Sequence, residues 1–357
     1  MGNRRCILYM RASGTRWKGR QQEKMMKQRK IGIFAGVVAV VLLGVLFFHW
    51  KSSQFGAEDE AEYEVYEKHF AMITGKGDSD LWDRVYESAL EEGKTRGIYI
   101  ERFGKQLAVE YSRNELIETA ISASVDGIIV PGDEDEQTVA LINKAVDRGI
   151  PVVTVLQDST GSLRQCFVGN NSYNLGQEYG RQILELLSGK EEEPCSILVL
   201  VDDSRKDTSQ NLILLGIREI LEKELGEGYP VSVETAQVDT TRSFSPEESI
   251  RDIFLNTDGL PDIMVCLNEV YTRCAYQAAV DYNKVGTVQL LGFYDSETIL
   301  NAVEKNIIYA TVALDTEQMG RLCVEALDEY VKTGYTNGYM AVDTSLITAE
   351  NVEKLEK

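Results

Sequence analysis

A chain of 357 residues is longer than one hydrophobic core usually grows, so two globular units are expected, and 43% hydrophobic with 8% aromatic residues exclude a disordered chain. The net charge of −20 is unevenly divided: residues 1–51 carry 11 Lys and Arg against the single acid Glu23, leaving 26 bases and 56 acids in the remainder. So acidic a body repels a polyanion, which argues against nucleic acid as a partner.

Residues 1–30 form a basic leader, in which Met25-Met26 before KQRK offers an alternative start to Met1. The run IGIFAGVVAVVLLGVLFF, Ile31 to Phe48, has 18 residues and no charge, long enough to cross a bilayer as a helix. Basic residues before it and acidic ones after it place the N-terminus in the cytoplasm and the body outside, in a single-pass topology at the cell membrane. A cleaved signal peptide is the competing reading. The run exceeds the usual signal-peptide core, and HWKSSQF after it has no small-x-small cleavage site, so an anchor over 31–50 is preferred. Residues 51–66, acidic and aperiodic, read as a linker.

From His69 onward strands and helices alternate. HFAMIT (69–74) reads as a strand, and Leu81, Val85, Ala89 and Leu90 share one helical face within 80–96. Strand IYIERF follows, then a helix near 114–123, strand VDGIIV (125–130), a helix over 136–148 and strand PVVTV (151–155). The second half repeats the scheme with helix 173–188, strand SILVLV (196–201), helix 209–225 and strand VSVETAQV (231–238). Ser245-Pro246-Glu247-Glu248 has the spacing of a capping box with proline at the first helical position. Strand IMVCL (263–267), helix 271–282, strand QLLGF (289–293), helix 297–305, strand IYATVAL and helix 317–332 complete the series. Strand–helix alternation predicts parallel sheets covered on both faces, and so many units require two sheets.

Six cysteines without CxxC spacing and only two histidines give no zinc site or disulfide scaffold, and no cofactor is expected. Gly75-Lys76-Gly77 lacks the third glycine and the following Lys-Ser/Thr of a nucleotide-binding turn, and no His-based triad is apparent, so an enzyme is not expected.

The stretches VDGIIVPGDEDE (125–136), RGIPVVTV (148–155), VGNNSYNLGQEYG (168–180), PDIMVCLNE (261–269), LLGFYDS (290–296) and ATVALDTEQMG (310–320) occur in the order and spacing of a known family. Together they resemble the type I periplasmic binding proteins of the ribose and galactose class, which share their core with LacI-type repressors. The resemblance implies two Rossmann-like doubly wound α/β lobes joined by three hinge crossings, near Gln165 to Asn170, Val238 to Ser243 and Val312 to Asp315. The N-terminal lobe would comprise 67–166 with 314–341, and the C-terminal lobe 167–313 with 342–357. It also implies a sugar or sugar-like small polar ligand between the lobes. The membrane span stands where a repressor would carry its helix-turn-helix.

Carried over position by position, the resemblance places Trp82 where an aromatic stacks on the sugar, with Asp78, Ser79 and Asp80 as polar contacts in the preceding loop. A core role for Trp82 and a helix cap by Ser79 or Asp80 are the plainer readings. Gln157 and Asp158 follow the fourth strand, Asn268 and Glu269 match an Asn-Asp pair, and Tyr294 stands in place of an Asp, with Asp295 next. Asp315, Arg242 and Phe244 complete the candidates, a solvated role being the alternative for Arg242. Ile213 and Leu314 replace an expected Arg and Gln, so the pentose-binding pattern is not preserved. The partner implied is an ABC-type permease, or alternatively a sensor histidine kinase.

Overall fold

The computed structural model describes residue 44 and residues 66–74, 80–105, 109, 111–189, 193–202, 208–226, 229–239, 245–256 and 259–354. Apart from residue 44, the run 31–48 lies outside them, as do 51–65 of the linker. Among the described residues no helix is long and apolar enough to cross a membrane. The chain divides into Met1–Val65 and Tyr66–Lys357, and the second unit holds every strand described.

The first sheet is built from β1 (Lys68–Ile73), β2 (Ile98–Phe103), β3 (Gly127–Val130), β4 (Val152–Val155) and β5 (Cys166–Gly169), with α1 (Asp80–Thr95), α2 (Arg113–Ala123) and α3 (Glu136–Asp147) between them. β3 and β4 read GIIV and VVTV and are buried throughout, as strands covered on both faces must be. Ser112 and Glu115 close a capping box on α2, and Asp135 caps α3 through the backbone N–H groups of Gln137 and Thr138.

The chain then builds α4 (Ser172–Leu187), β6 (Cys195–Asp202), α5 (Thr208–Leu225), β7 (Val231–Val238), α6 (Ser245–Leu255), β8 (Ile263–Cys266), α7 (Glu269–Asp281), β9 (Gln289–Phe293), α8 (Glu297–Glu304) and β10 (Ala310–Leu314). It ends with α9 (Thr316–Thr333), β11 (Tyr339–Ala341) and β12 (Thr344–Thr348). Ser245 starts α6 as expected, but its buried hydroxyl has no partner among the described residues, so the predicted capping box is not made.

Each sheet has six strands, ordered β11-β5-β4-β3-β1-β2 and β12-β10-β9-β8-β6-β7. All neighbours are parallel except β10 and β12. The chain therefore crosses between lobes after β5, between β10 and α9, and between β11 and β12. The first and third crossings are joined by Val342 N–H donating to the Gly169 carbonyl at 3.0 Å, the second and third by Asp315 N–H donating to the Asp343 carbonyl at 3.0 Å. Gln318 adds a further tie, donating to the Asp343 carboxylate at 3.1 Å and accepting from the Asp343 N–H at 2.6 Å.

Val238 to Ser243 is not a crossing. β7 pairs along its length with β6, and α6 after it packs on α7 in the same lobe. As an edge strand, β7 alternates exposed and half-buried residues and so looks like the last strand of a unit. The third crossing is the Val342–Asp343 step. Cys166–Gly169 pairs within the first sheet and Leu314 within the second, which puts both lobe boundaries slightly later than expected.

Candidate functional site

In open parallel sheets, ligands bind beyond the carboxyl ends of the strands. The carboxyl ends of β1 and β9 are brought together here by a four-residue cluster. From the first lobe, α1 contributes Asp80 and Arg84, spaced one turn apart so that Arg84 Nε lies 3.0 Å from Asp80 Oδ2. From the second, the turn after β9 contributes Tyr294 and Asp295. The Tyr294 hydroxyl donates to Asp80 Oδ2 at 3.0 Å, and Arg84 Nη1 donates to both Asp295 oxygens at 3.2 Å. The guanidinium also lies over the Tyr294 ring, 5.5 Å from its centre. Burial pushes the Tyr294 phenol well above its ordinary range, more than Arg84 pulls it down. Burial works against the charge on Arg84, but Asp295, Tyr294 and Asp80 outweigh it and raise its pKa.

The polar residues at the other strand ends divide by whether their side chains are already engaged. Asp158 is fully engaged: its carboxylate accepts from Thr154 Oγ1 at 2.9 Å, from Ser159 N–H at 2.7 Å and from Arg164 Nη2 at 2.6 Å, with a second bond from Arg164 Nε. It braces its own loop. Gln157, exposed beside it, bonds through its backbone alone among the described residues, with N–H donating to the Val155 carbonyl at 2.7 Å and C=O accepting from Gly132 N–H at 2.8 Å. Leu156, just before Gln157, sits at φ 65°, which turns the chain sharply after β4.

On the second lobe, Asn268 caps α7: its Oδ1 accepts from Tyr271 N–H at 2.8 Å, while its amide Nδ2 has no partner among the described residues. Glu269 is buried on the first turn, 3.8 Å from Arg273. Asp315 lies in a crossing segment and caps α9 with Oδ1, which accepts from Gln318 N–H at 2.8 Å. Trp82 is 7% exposed and lies within the apolar core that includes Phe70, Leu81 and Val85. Asp78, Ser79, Arg242 and Phe244 lie outside the described residues.

Two residues that sequence reasoning passed over belong to this region. Arg84 was signalled by its spacing from Asp80, though nothing local points to Asp295. Ser296 follows Asp295 at the start of α8, buried, with a hydroxyl that makes no cap and has no partner among the described residues.

With this two-lobed geometry established, a match to the family model "Periplasmic binding protein domain" over residues 70–335 decides the affiliation. The chain belongs to the periplasmic binding protein family. This binding protein is 26% identical over 292 residues to the D-apiose import binding protein of Actinobacillus succinogenes, covering 80% of this chain and 90% of that one. A second D-apiose import binding protein, from Paraburkholderia graminis, is 25% identical over 68% of this chain and 76% of its own. Among solved structures, the glucose-galactose binding protein GanP of Geobacillus stearothermophilus superposes with a TM-score of 0.69 at 22% identity, over 80% of this binding protein and 98% of GanP. A solute-binding protein of Burkholderia graminis in complex with D-arabinose gives 0.68 at 19% identity, over 80% and 97%. These structures establish the type I fold. The proteins it resembles are substrate-binding proteins, not enzymes.

Proposed function

We propose that this chain is a membrane-anchored, extracytoplasmic solute-binding protein that holds a sugar or sugar-like polyol between its lobes for ABC-type uptake. The observation that carries the reading is the meeting of strand carboxyl ends from two sheets, with amides uncommitted on each side: the Gln157 side chain from one lobe, Asn268 Nδ2 from the other. Sugar hydroxyls both donate and accept, and an amide matches either role. Relatives named for D-apiose import, aligned over most of their length, support a small sugar and an uptake role. The apolar run Ile31 to Phe48, with bases before and acids after, supports the anchor.

A thermal-shift screen of the full chain in detergent tests the assignment, because a ligand bound only by the folded state adds RT ln(1 + [L]/Kd) to stability. Tetroses, branched and linear pentoses, hexoses and polyols form one arm, and amino acids and peptides the other. A raised midpoint with sugars alone is expected. A response confined to amino acids or peptides rejects the sugar, and loss of the gene without loss of sugar uptake would redirect the reading to sensing for a membrane kinase.

Asn268→Asp is the cleaner probe of the site, since an aspartate keeps the oxygen that caps α7 and removes the Nδ2 donor. Binding is expected to weaken by about 1 to 3 kcal/mol with the melting temperature of the free protein unchanged. Calorimetry giving wild-type affinity would remove Asn268 from the site.

A further inference from the structure

We propose that Arg84 is the positioning residue that couples the two lobes: it clasps Asp295 across the cleft while holding Asp80 for the Tyr294 hydroxyl, and so sets the fraction of molecules whose lobes are closed. The inference rests on the reading of the cleft as a ligand site and adds to it a residue that controls access without touching the ligand.

Two independent observations carry it. The first is the connectivity of the cluster. Asp80 and Arg84 belong to α1 of the first lobe, Tyr294 and Asp295 to the turn after β9 of the second, and each cross-lobe bond has an ionic group as donor or acceptor. Charge-assisted bonds of this kind are about twice as strong as neutral ones. Rotation of the lobes about their crossings separates all of them together, so they exist in one state of the hinge and not in the other.

The second observation is the backbone of Tyr294. It is fully buried and sits at φ 82°, a left-handed conformation that a bulky residue adopts only under constraint. Its N–H donates to the Val312 carbonyl at 2.8 Å and its carbonyl accepts from Thr311 Oγ1 at 2.7 Å, so β10 holds the turn in place. A relaxed backbone is given up, and the result is a phenol that reaches the other lobe. The second lobe thus presents a preformed hook and carboxylate, and Arg84 is the cation that receives them.

A protein whose binding-competent state is only partly populated shows an affinity reduced by that fraction. Loss of the clasp therefore weakens every ligand by the same factor, whereas loss of a ligand contact such as Asn268 Nδ2 alters the ranking of ligands.

The test uses the full chain with nitroxide labels at Glu91→Cys on α1 and Glu304→Cys on α8, both exposed positions, and with Cys6 and Cys274 replaced by serine. Pulsed electron–electron resonance without added sugar reads the lobe separation directly. Arg84→Ala and Asp295→Asn are each expected to shift the distance distribution to longer values, and the double variant no further than either alone. Arg84→Lys restores part of the short-distance population, and high salt lowers it in the wild type because Arg84 is partly exposed. For any sugar found to bind, Arg84→Ala is expected to raise Kd by roughly three- to tenfold, equally across ligands. A wild-type distance distribution in Arg84→Ala, or effects of Arg84 and Asp295 that simply add, overturns the proposal. Because the distance is read without sugar, failure of the clasp and failure of the sugar assignment are separable.

Discussion

Valine in place of Gly320 is expected to destabilise the protein by about 3 kcal/mol, a large fraction of the stability of an ordinary domain. Gly320 lies on α9 where that helix crosses α1. A Cβ there would fall 2.3 Å from the Val85 carbonyl oxygen and 2.8 Å from the Ala89 nitrogen, both backbone atoms of α1. Side chains can turn aside, but a helix backbone cannot, so the two helices must separate. Removing a glycine from a helix would by itself stabilise by up to about 1 kcal/mol, which the clash exceeds. The second lobe uses the same device: a Cβ on Gly176 of α4 would fall 2.2 Å from the Ile213 carbonyl oxygen on α5. Urea melts of Gly320→Val and Gly176→Val should show lowered midpoints in both. A wild-type midpoint in either would mean that its helix pair has slack.

Asp328→Ala is expected to cost about 2 to 3 kcal/mol near neutral pH. Asp328 on α9 is 1% exposed and serves three cations: Lys68 at 2.8 Å, Lys332 at 2.7 Å and Arg96 at 3.2 Å. Burial opposes its ionisation, but bonds from Lys332, Lys68 and Arg96 outweigh burial and hold its pKa below the ordinary value. A carboxylate depressed on folding contributes stability fully above its unfolded pKa, near 3.9, and loses that contribution as pH falls through the lower folded value. The wild type should therefore lose its advantage over Asp328→Ala only below about pH 4, the two converging as acid protonates the carboxyl. Denaturation curves at pH 7 and pH 3 check this. A gap independent of pH would mean that packing, not charge, is what the alanine removes.

Most of the architecture was legible because parallel strands buried on both faces write themselves as short apolar runs. Gln289–Phe293 occupies the residues its apolar run predicts, and the edge strand Val231–Val238 is marked by alternation instead. The crossings expected near Gln165 to Asn170 and Val312 to Asp315 lie where the chain passes between lobes, but the third, between β11 and β12, was not legible. β5, β11 and β12 span three to five residues each, too few for a periodicity, and Tyr339–Ala341 takes its partner from Phe167–Gly169, far away in sequence. No local pattern encodes such a pairing. The site divides similarly. Sequence marks a polar residue after each strand but not where its atoms are spent: Asp158 serves Arg164 and Asp315 caps α9, while Asn268 and Gln157 keep amide groups uncommitted among the described residues. Arg84 shows the converse, with its purpose lying in another lobe.

The position of β11 bears on the order in which the molecule can be completed during synthesis. Domains usually fold from the N-terminus as the chain emerges. Here the sheet begun at Lys68 receives its last strand at Tyr339–Ala341, and α9, which packs against β3, β4, β5 and α1, precedes that strand only shortly. Until residues 316–341 are made, the earlier-made lobe shows the apolar surface that Met319, Val324 and Leu327 later cover. The second lobe, from α4 through β10, is contiguous and lacks its edge strand β12 and the short turn Val352–Lys354 that packs on α8. The lobe translated first is thus finished last, and a nascent chain of some 300 residues needs its exposed face shielded from other chains.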